Sequence, residues 1–371
     1  MPLRRRNPRS ATDAIALRAE VAARRGHRHA ADVAGRARRL LGAGETAPTA
    51  TEQNVANVLA AAERVGVVAE ALPGAFVKLT RDGTTFYSHS SDFAFESLVP
   101  YLACGDKGLT SRRLAESGLP VPRFGVFDLG RFDEALRLFD RLPKPVVTKP
   151  ARGTAGGVGI TLGIATRAGL RTGFARARAH GRDVLVEEQV GGDNVRVTVL
   201  AGRVIGAVRR IPAHVVGDGV RTVADLVEAK NALFRSGARE NRLLSPIAID
   251  AGARRVLRRH GVNARSVPAA ADVVPLREVS NADQGGEIDD VTDELHDDLR
   301  ELAVAAARVL GPVLCGVDLI VADVRAPATP GGVHINEVNT TPGLSVANGM
   351  VDGVVSTHAA ECALRHLFGL G

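Results

Sequence analysis

The chain has 371 residues, of which 45% are hydrophobic and only 4% aromatic, with no tryptophan. This length suits two or three domains, whose cores must be built from Ala, Val and Leu. No apolar run approaches the roughly 18 residues that span a bilayer, and the arginine-rich start lacks the apolar core of a signal peptide. The three cysteines match no metal spacing and favour a reducing compartment. We therefore expect a cytoplasmic protein with no membrane partner.

The formal net charge of +7 is concentrated at one end of the chain. Residues 1–50 hold eleven arginines against four acidic residues, which leaves residues 51–371 with 37 residues of each sign. The pattern predicts a basic arm, made of a tail and one or two helices with an arginine-covered face. A solvated helix face is the ordinary interpretation, and docking of nucleic acid or an anionic partner is the alternative. The neutral body is not that of a nucleic-acid-binding protein.

The next elements predict a small α/β unit. Apolar spacing indicates a helix over 54–72, and an Asp-Gly turn at 82–83 predicts a hairpin with strands at 75–79 and 84–87. A helix is predicted over 93–103.

From residue 106 onward, helices and strands alternate in a way typical of mixed α/β units. The first part predicts helices at 109–117 and 132–142 and strands at 124–127, 145–149 and 184–188. The second part predicts a hairpin from strands 196–200 and 203–210, and helices at 222–233, 254–260, 293–310 and 356–367.

A glycine-rich loop follows the strand that ends at Lys149. The segment ARGTAGGVGITLGI (151–164) is not a P-loop, because no Gly-Lys-Ser/Thr ends it, and no helix follows as in a dinucleotide fingerprint. A strand–glycine–strand hairpin can close over phosphates with its backbone N–H groups, and a flexible surface hairpin is the alternative. The lysine just before the loop favours phosphate.

A candidate metal site lies near the end of the chain. Two apolar strands are predicted at 317–322 and 333–338; the first carries Asp318, and the second runs into Glu337 and Asn339. Glu337 and Asn339 are two apart in a strand and share a face, and a paired neighbouring strand can bring Asp318 beside them. Hard oxygen ligands without His or Cys suit Mg²⁺, and the alternative is a surface hairpin whose acids face water.

Several phrases in order resemble the ATP-grasp superfamily, and within it the ATP-grasp part of cyanophycin synthetases and bifunctional glutathione synthetases. The phrases are ACGDKGLTSRRLAESGLPVP, KPARGTAGGVGI, RRIPAHVVGDGVRTVADLVEAKN, PLREVSNADQGGEIDDVTDE, CGVDLIV and INEVNTTPGL, within about residues 100–346. The resemblance implies an α/β (α+β) chain with the ATP-grasp fold, in which two α+β subdomains clasp ATP. The expected divisions are a basic arm (1–50), a small N-terminal α/β domain (51–105), a first subdomain with a glycine-rich lid (106–187) and a second with the Mg²⁺ site (188–371).

The resemblance also implies a reaction. An ATP-dependent ligase would join the carboxylate of an amino acid or peptide to an amino-acid amine, as a peptide or γ-glutamyl-type amide, through an acyl phosphate. The expected partners are small molecules and not nucleic acid, and a homodimer is left open. One alternative is a non-catalytic nucleotide-binding protein whose arm docks nucleic acid or an acidic partner, and another is an ATP-grasp carboxylase or phosphotransferase.

By position, the resemblance assigns nucleotide contacts to two lysines, the lid, the adenine hinge and the ribose position. These residues are Lys107, Lys149, Gly153, Thr154, Gly156, Gly157, Gly159, Glu187, Glu188, Asp193 and Asn194. Relatives hold ribose with an acid where this chain has Asn194 beside Asp193. Asp318, Glu337 and Asn339 are expected to hold two Mg²⁺ ions, with Mn²⁺ as the alternative metal.

The resemblance further implies catalytic arginines and a substrate site. Arg196, Arg210 and Arg277 are the expected catalytic residues, the first two facing phosphate because guanidinium suits planar oxyanions. Ordinary half-exposed strand arginines are the alternative. The expected substrate contacts are His214, Ser280, Asn281, Gly285, Gly286, Thr341 and Gly343.

Overall fold

The computed structural model describes residues 49–154, 157–236, 245–280, 284–344, 350–351 and 354–370. The predicted basic arm therefore lies outside the described residues, except for its last two positions. The predicted site residues Gly156 and Asn281 lie outside them as well. No helix of the described ranges is long and apolar enough to cross a membrane.

The N-terminal part begins with helix α1 (Ala50–Arg64), which Thr49 and Glu52 start as a reciprocal capping box. The predicted extension of this helix to residue 72 was wrong. Gly66 takes a positive φ of 71° behind α1, and the following residues form strand β1 (Val68–Leu72). The predicted hairpin is confirmed as β2 (Phe76–Arg81) and β3 (Thr84–His89), and β1–β3 form one antiparallel sheet.

The next elements in chain order are α2 (Leu98–Cys104), α3 (Lys107–Glu116), β4 (Phe124–Phe127), α4 (Phe132–Arg141), β5 (Val146–Pro150), β6 (Thr161–Ile164), α5 (Arg167–Arg178) and β7 (Val184–Glu188). The four strands form an antiparallel sheet in the order β4-β7-β5-β6. Helices α4 and α5 cover this sheet with a core that contains Phe139, Leu170 and Phe174.

Helix α5 was not predicted, because its composition of arginine, alanine and glycine hides a narrow apolar stripe. Thr166 caps it, and Gly173 lets it approach the sheet closely, since a Cβ there would lie 2.6 Å from Oγ1 of Thr148. The signal that could have found α5 is the N-cap threonine followed by apolar residues at helical spacing.

The remaining described elements are β8 (Asp193–Leu200), β9 (Arg203–Ile211), β10 (His214–Val216), α6 (Val223–Ser236), α7 (Ala251–Arg259), β11 (Val273–Pro275), β12 (Glu287–Asp290), α8 (Asp297–Leu310), β13 (Leu314–Val321), β14 (Val333–Thr340), β15 (Met350–Val351), β16 (Val354–Val355) and α9 (His358–Phe368). Five of the strands form an antiparallel sheet in the order β12-β9-β8-β13-β14, with an insert between β9 and β12. The insert has its own apolar core, built around Leu257 and Leu276.

Two cores hold this sheet in place. On one face, Val195, Val197, Val317 and Leu319 pack with residues of α8. At its edge, α9 and α1 share a second core with Leu200, Leu314 and Leu344. The first and last described helices therefore pack together beside the sheet.

Candidate functional site

The other face of the five-stranded sheet is polar. Asp318 on β13 lies opposite Glu337 on β14 and opposite Arg196 on β8. On the next pair of strands, Asn194 lies opposite Arg210. Because side chains alternate along a strand, the valines between these residues face the α8 core while the polar residues share the opposite face.

Asp318 is the most buried member of this polar face, with its side chain 2% exposed. Arg196 donates two hydrogen bonds to it, from Nε to Oδ1 at 2.7 Å and from Nη2 to Oδ2 at 2.9 Å. Arg210 adds a bond from Nη2 to Oδ2 at 2.8 Å. Such bidentate guanidinium–carboxylate pairs fix both groups in orientation.

The pKa values of this cluster are set by two opposing effects, burial and the charges of neighbouring side chains. Burial disfavours the charged carboxylate, but Arg196 and Arg210 outweigh it and hold the pKa of Asp318 below its usual range. Burial likewise disfavours the charged form of Arg196, and Asp318 outweighs it, so the pKa of Arg196 is raised. For Arg210, burial and the neighbouring Arg196 prevail and lower the pKa. The cluster is thus a carboxylate held between two buried cations.

A glycine makes room for this arrangement. A Cβ on Gly316 would lie 3.0 Å from Cδ of Arg196, so a side chain there would displace the guanidinium. The amide of Asn339 fits beside it when Oδ1 accepts from Nη2 of Arg196 at 3.0 Å. In that orientation Nδ2 donates to Oε1 of Glu337 at 3.3 Å. The predicted metal ligands Asp318, Glu337 and Asn339 are therefore brought together.

The two predicted lysines reach this region from elements outside the five-stranded sheet. Lys107 begins α3, behind its N-cap Asp106, and its Nζ donates to Oε1 of Glu337 at 2.8 Å. Lys149, on β5, lies 2.7 Å from Oε1 of Glu187 and donates to Oδ1 of Asn336 at 3.3 Å. Both lysines thus meet strand β14, Lys107 at a carboxylate and Lys149 at an amide.

The two glutamates predicted for the adenine hinge have different partners. Glu187 is buried and paired with Lys149, whereas Glu188 accepts from N and Nε of Arg123, both at 2.8 Å. At the position predicted to bind ribose, Asp193 pairs with Arg209, and Oδ1 of Asn194 accepts from Nε of Arg210 at 2.9 Å.

The glycine loop is shaped by backbone conformations that favour glycine. Gly153, Gly157 and Gly159 have φ of 82°, 79° and 79°. A Cβ on Gly159 would lie 2.7 Å from Cγ of Pro150, so this glycine also permits close packing against β5. Thr154 is half-buried beside Gly153.

The predicted substrate residues are spread along the insert and behind β14. His214 places Nδ1 3.0 Å from the carbonyl oxygen of Pro212. Gly285 donates its N–H to Oγ of Ser245 at 2.9 Å. Four further predicted residues have these placements: Ser280 half-buried, Gly286 buried, Thr341 at a positive φ of 57° and Gly343 half-buried.

Arg277 is engaged within the insert. It is 9% exposed, and its guanidinium donates to Asp250 at 3.1 Å, to Gln284 at 3.2 Å and to two carbonyl oxygens. The structure therefore places it in a bonded network apart from the Asp318 cluster.

Sequence reasoning missed three residues that position the site. Asp106 caps α3 and is bound by Arg152 at 2.8 Å, which fixes the start of the helix that carries Lys107. Asn336 bonds Lys149, and Gly316 admits Arg196. The signal for Asp106 was available, because an acid directly before a helix is a typical N-cap.

The oxygen donors of this cluster suit a hard metal ion. Within the described ranges, no three His, Cys, Asp or Glu side chains lie together as a metal site. The cluster has instead two carboxylates and one amide on adjacent strands. All three donors are hard oxygens, which suits Mg²⁺ supplied together with a phosphate ligand.

No family model matches this chain. It is 35% identical over 243 residues to cyanophycin synthetase from Nostoc sp.. This match covers 65% of the chain and 26% of that protein. It is 34% identical over 239 residues to the glutathione biosynthesis bifunctional protein GshAB from Mannheimia succiniciproducens, covering 63% of this chain and 31% of that protein.

Among solved structures, a bifunctional glutathione synthetase from Pasteurella multocida matches with a TM-score of 0.60 and 27% identity. This match covers 85% of the chain and 44% of that structure. The expected ATP-grasp fold is therefore confirmed. The chain is a relative of the ATP-grasp carboxylate–amine ligases. It spans about a quarter to a third of the length of the two curated relatives named above.

Proposed function

We propose that this chain is an ATP-dependent ligase that joins the carboxylate of an amino acid or peptide to an amino-acid amine as an amide. The observation that carries the proposal is the pair Asp318 and Glu337, opposite each other on adjacent strands, with Arg196, Arg210 and Lys107 bonded to them. A triphosphate and its metal need this combination of hard oxygen donors and surrounding cations. The resemblance to two groups of synthetases supports the same reaction class.

ATP-grasp ligases use ATP and Mg²⁺ in general. In this chain Asp318, Glu337 and Asn339 would hold Mg²⁺, and we propose two ions, with Mn²⁺ able to replace them. When bound, the metal supplies neutralisation of the charge on the triphosphate.

The cations would position the phosphates. The Lys107–Glu337 pair is partly exposed, at 12% and 23%, so Lys107 can exchange its carboxylate partner for a phosphate oxygen. Lys149 is more buried than Lys107 and is ion-paired with Glu187. Arg196 and Arg210 orient Asp318 through their ion pairs with its carboxylate. Their remaining N–H groups can face the transferred phosphoryl group.

The proposed chemistry has two steps. An oxygen of the substrate carboxylate attacks the γ-phosphorus, ADP leaves, and an acyl phosphate forms. The amine then attacks the acyl carbon, phosphate leaves, and the nitrogen loses a proton. The backbone N–H groups of the turn at Thr341 and Gly343 are proposed contacts for the carboxylate being activated. His214, Ser280 and the glycines Gly285 and Gly286 are proposed contacts for the amino-acid substrates.

The three cysteines agree with a reaction that needs no protein nucleophile. Burial raises the pKa of the Cys104 thiol to about 12 and also raises that of Cys315. Burial raises the pKa of Cys362 as well. None of them is poised as a thiolate at neutral pH.

The division into two ATP-grasp subdomains is part of the proposal. Its boundary at 187/188 lies one residue before the end of β7, of the four-stranded sheet, and β8, of the five-stranded sheet, begins at Asp193. The substrates are proposed to be small amino acids or peptides, and a homodimer stays open.

The experiment is a screen of amino acids in pairs with MgATP, which measures phosphate release and the mass of the product. We expect phosphate release to require both a carboxylate and an amine partner and to yield their condensation product. ADP formation that is independent of every amino-acid pair would overturn the proposal.

A further inference from the structure

The buried face of helix α1 carries two asparagines. Asn54 and Asn57 are 7% and 5% exposed, and their spacing from Val58 and Ala61 places all four residues on the face that packs into the core shared with α9. Apolar side chains are the usual occupants of such a face, because a buried polar group without a hydrogen bond destabilises the fold. A buried asparagine is therefore stabilising only where its amide finds partners.

Asn54 has a partner at each end of its amide, and one of them belongs to the turn after β14. Its Oδ1 accepts from the backbone N–H of Leu344 at 3.0 Å, and its Nδ2 donates to Oγ of Ser90 at 3.1 Å. Because a backbone N–H can only donate, the bond to Leu344 fixes the orientation of the amide. This bond joins residues 290 positions apart in the sequence.

Ser90 is itself fixed by the N-terminal sheet. It follows strand β3 with a positive φ of 55°, and its N–H donates to the carbonyl oxygen of Ala75 at 2.9 Å. Ala75 directly precedes β2 in the same sheet. The amide of Asn54 is therefore bonded to the N-terminal sheet on one side and to Leu344 on the other.

The turn from Thr341 to Leu344 begins with a strained backbone conformation. Thr341 takes a positive φ of 57°, which is unfavourable for a β-branched residue and persists only where the surroundings impose it. Before the turn, the pairing of Thr340 with Cys315 fixes the chain. After the turn, Leu344 is fixed by its side chain, which is 1% exposed in the core with α1 and α9, and by the bond to Asn54. The bond to Asn54 is thus one of the contacts that impose the conformation of the turn.

We propose that Asn54 is a positioning residue of the ligase site. By binding Leu344, it keeps the N–H groups of Thr341 and Gly343 in place for the substrate carboxylate, so α1 and the N-terminal sheet form part of the active site. The inference rests on the proposed function, which assigns the activated carboxylate to this turn. Placement of the reacting groups contributes strongly to catalysis, and a displacement of about 1 Å can cost about a hundredfold in rate.

A purely structural bond would have a different consequence. Apolar contacts of Leu344 with α1 already attach this helix to the rest of the core, through Val58, Ala61 and Ala62. If Asn54 served only this attachment, its replacement by leucine would lower stability and leave the substrate affinity of the folded protein unchanged. If Asn54 positions the turn, the folded variant binds the carboxylate substrate less tightly while its MgATP affinity stays the same.

The site variant is Asn54→Leu, which keeps the approximate size of the side chain and removes the acceptor. The matched control is Asn57→Leu, the same change three residues further along α1. Nδ2 of Asn57 has no hydrogen-bond partner within the described residues, so the control leaves the bond to the turn intact. A conservative variant, Asn54→Asp, keeps an oxygen acceptor for Leu344, and the hydroxyl of Ser90 can donate to its second oxygen.

The test combines two measurements on the full chain. Hydrogen–deuterium exchange, followed by mass spectrometry, reports on the backbone N–H groups of residues 340–344. Phosphate release with MgATP and increasing concentrations of an equimolar mixture of the proteinogenic amino acids gives the half-saturating concentration, and urea denaturation gives the folded fraction. We expect faster exchange in 340–344 and an about tenfold higher half-saturating concentration for Asn54→Leu, with unchanged MgATP affinity by calorimetry. Asn57→Leu and Asn54→Asp should resemble the wild type in both measurements.

Three results would overturn the proposal: unchanged exchange in 340–344 for Asn54→Leu, an equal change for Asn57→Leu, or an Asn54→Asp variant as impaired as Asn54→Leu. If Asn54→Leu does not fold, Ser90→Ala takes its place. This variant removes only the bond to Nδ2 of Asn54, and unchanged exchange in it would overturn the proposal in the same way. Failure of the proposed function gives a separate result, in which the wild type binds MgATP but releases no phosphate in response to the amino acids. The exchange comparison then still decides whether Asn54 fixes the turn.

Discussion

The two faces of the five-stranded sheet use the same strands for opposite purposes. One face buries valines and a leucine against α8, and the other collects Asp318, Glu337, Arg196 and Arg210. The polar face is itself divided. At its centre, Asp318 is 2% exposed and bound by two arginines, whereas at the edge strand Glu337 is 23% exposed and bound by one lysine. The comparison indicates that Asp318, at the centre of the polar face, stabilises the fold. Glu337, on the edge strand β14, can exchange its partner.

The largest effect on stability is expected from Asp318→Ala, which removes the carboxylate at the centre of the polar face. Two buried guanidinium groups lose their carboxylate, and an uncompensated buried charge costs about 3–5 kcal/mol. We expect this variant to lose folding and activity together, measured by urea denaturation and by ADP formation. A stably folded but inactive Asp318→Ala would contradict the structural role of the centre.

On the apolar face, Leu319→Ala should destabilise without touching the site. The side chain is fully buried, and truncation of a core leucine costs about 2–5 kcal/mol. In the fraction that remains folded, MgATP affinity should equal that of the wild type, as measured by isothermal titration calorimetry. A changed affinity would show that the two faces are coupled.

Gly316→Ala tests the space left for Arg196. The new methyl would lie 3.0 Å from Cδ of that arginine, so the guanidinium must shift, at an overpacking cost of about 1–3 kcal/mol. The matched control is Gly191→Ala, where a Cβ meets nothing within 4 Å. Urea denaturation and MgATP binding should both change for Gly316→Ala only.

The pH dependence separates the centre from the edge. Because the pKa of Asp318 is held below its unfolded value, its stabilising contribution is present above about pH 3.9 and is lost as the pH falls through the folded pKa. Acid denaturation of the wild type should therefore show this loss. In Asp318→Asn this loss of stability at low pH should be absent. An acid-denaturation curve identical to that of the wild type would contradict the assigned role of Asp318.

The smallest effect on stability is expected from Glu337→Gln. Its pair with Lys107 is partly exposed, so the change should cost less than about 1 kcal/mol. Turnover should nevertheless fall by about a hundredfold or more, because a group that stabilises developing charge is lost. Full unfolding of this variant would assign Glu337 to the structural centre.

Sequence reasoning predicted four of the five strands of this sheet, because their alternating pattern and tight turns are local signals, and it missed the short edge strand β12. It also placed Asp318, Glu337 and Asn339 together, since Glu337 and Asn339 share a face and a paired neighbouring strand brings Asp318 beside them. It did not predict that Arg196 and Arg210 bind Asp318, because that contact depends on pairing of β8 with β13, which are 122 residues apart at this contact. The pairing of Lys149 with Glu187 was missed for the same reason, and β1 was missed because the apolar residues of 68–72 continued the helical spacing.

The most direct test of the central claim is the melting temperature with and without MgATP, for the wild type and Glu337→Gln. A ligand that binds only the folded state raises the melting temperature. If the polar face is the site of a metal-bound triphosphate, MgATP should raise the melting temperature of the wild type, and ATP with a chelator should raise it less. Glu337→Gln should show little increase. Equal increases for both proteins would contradict the account.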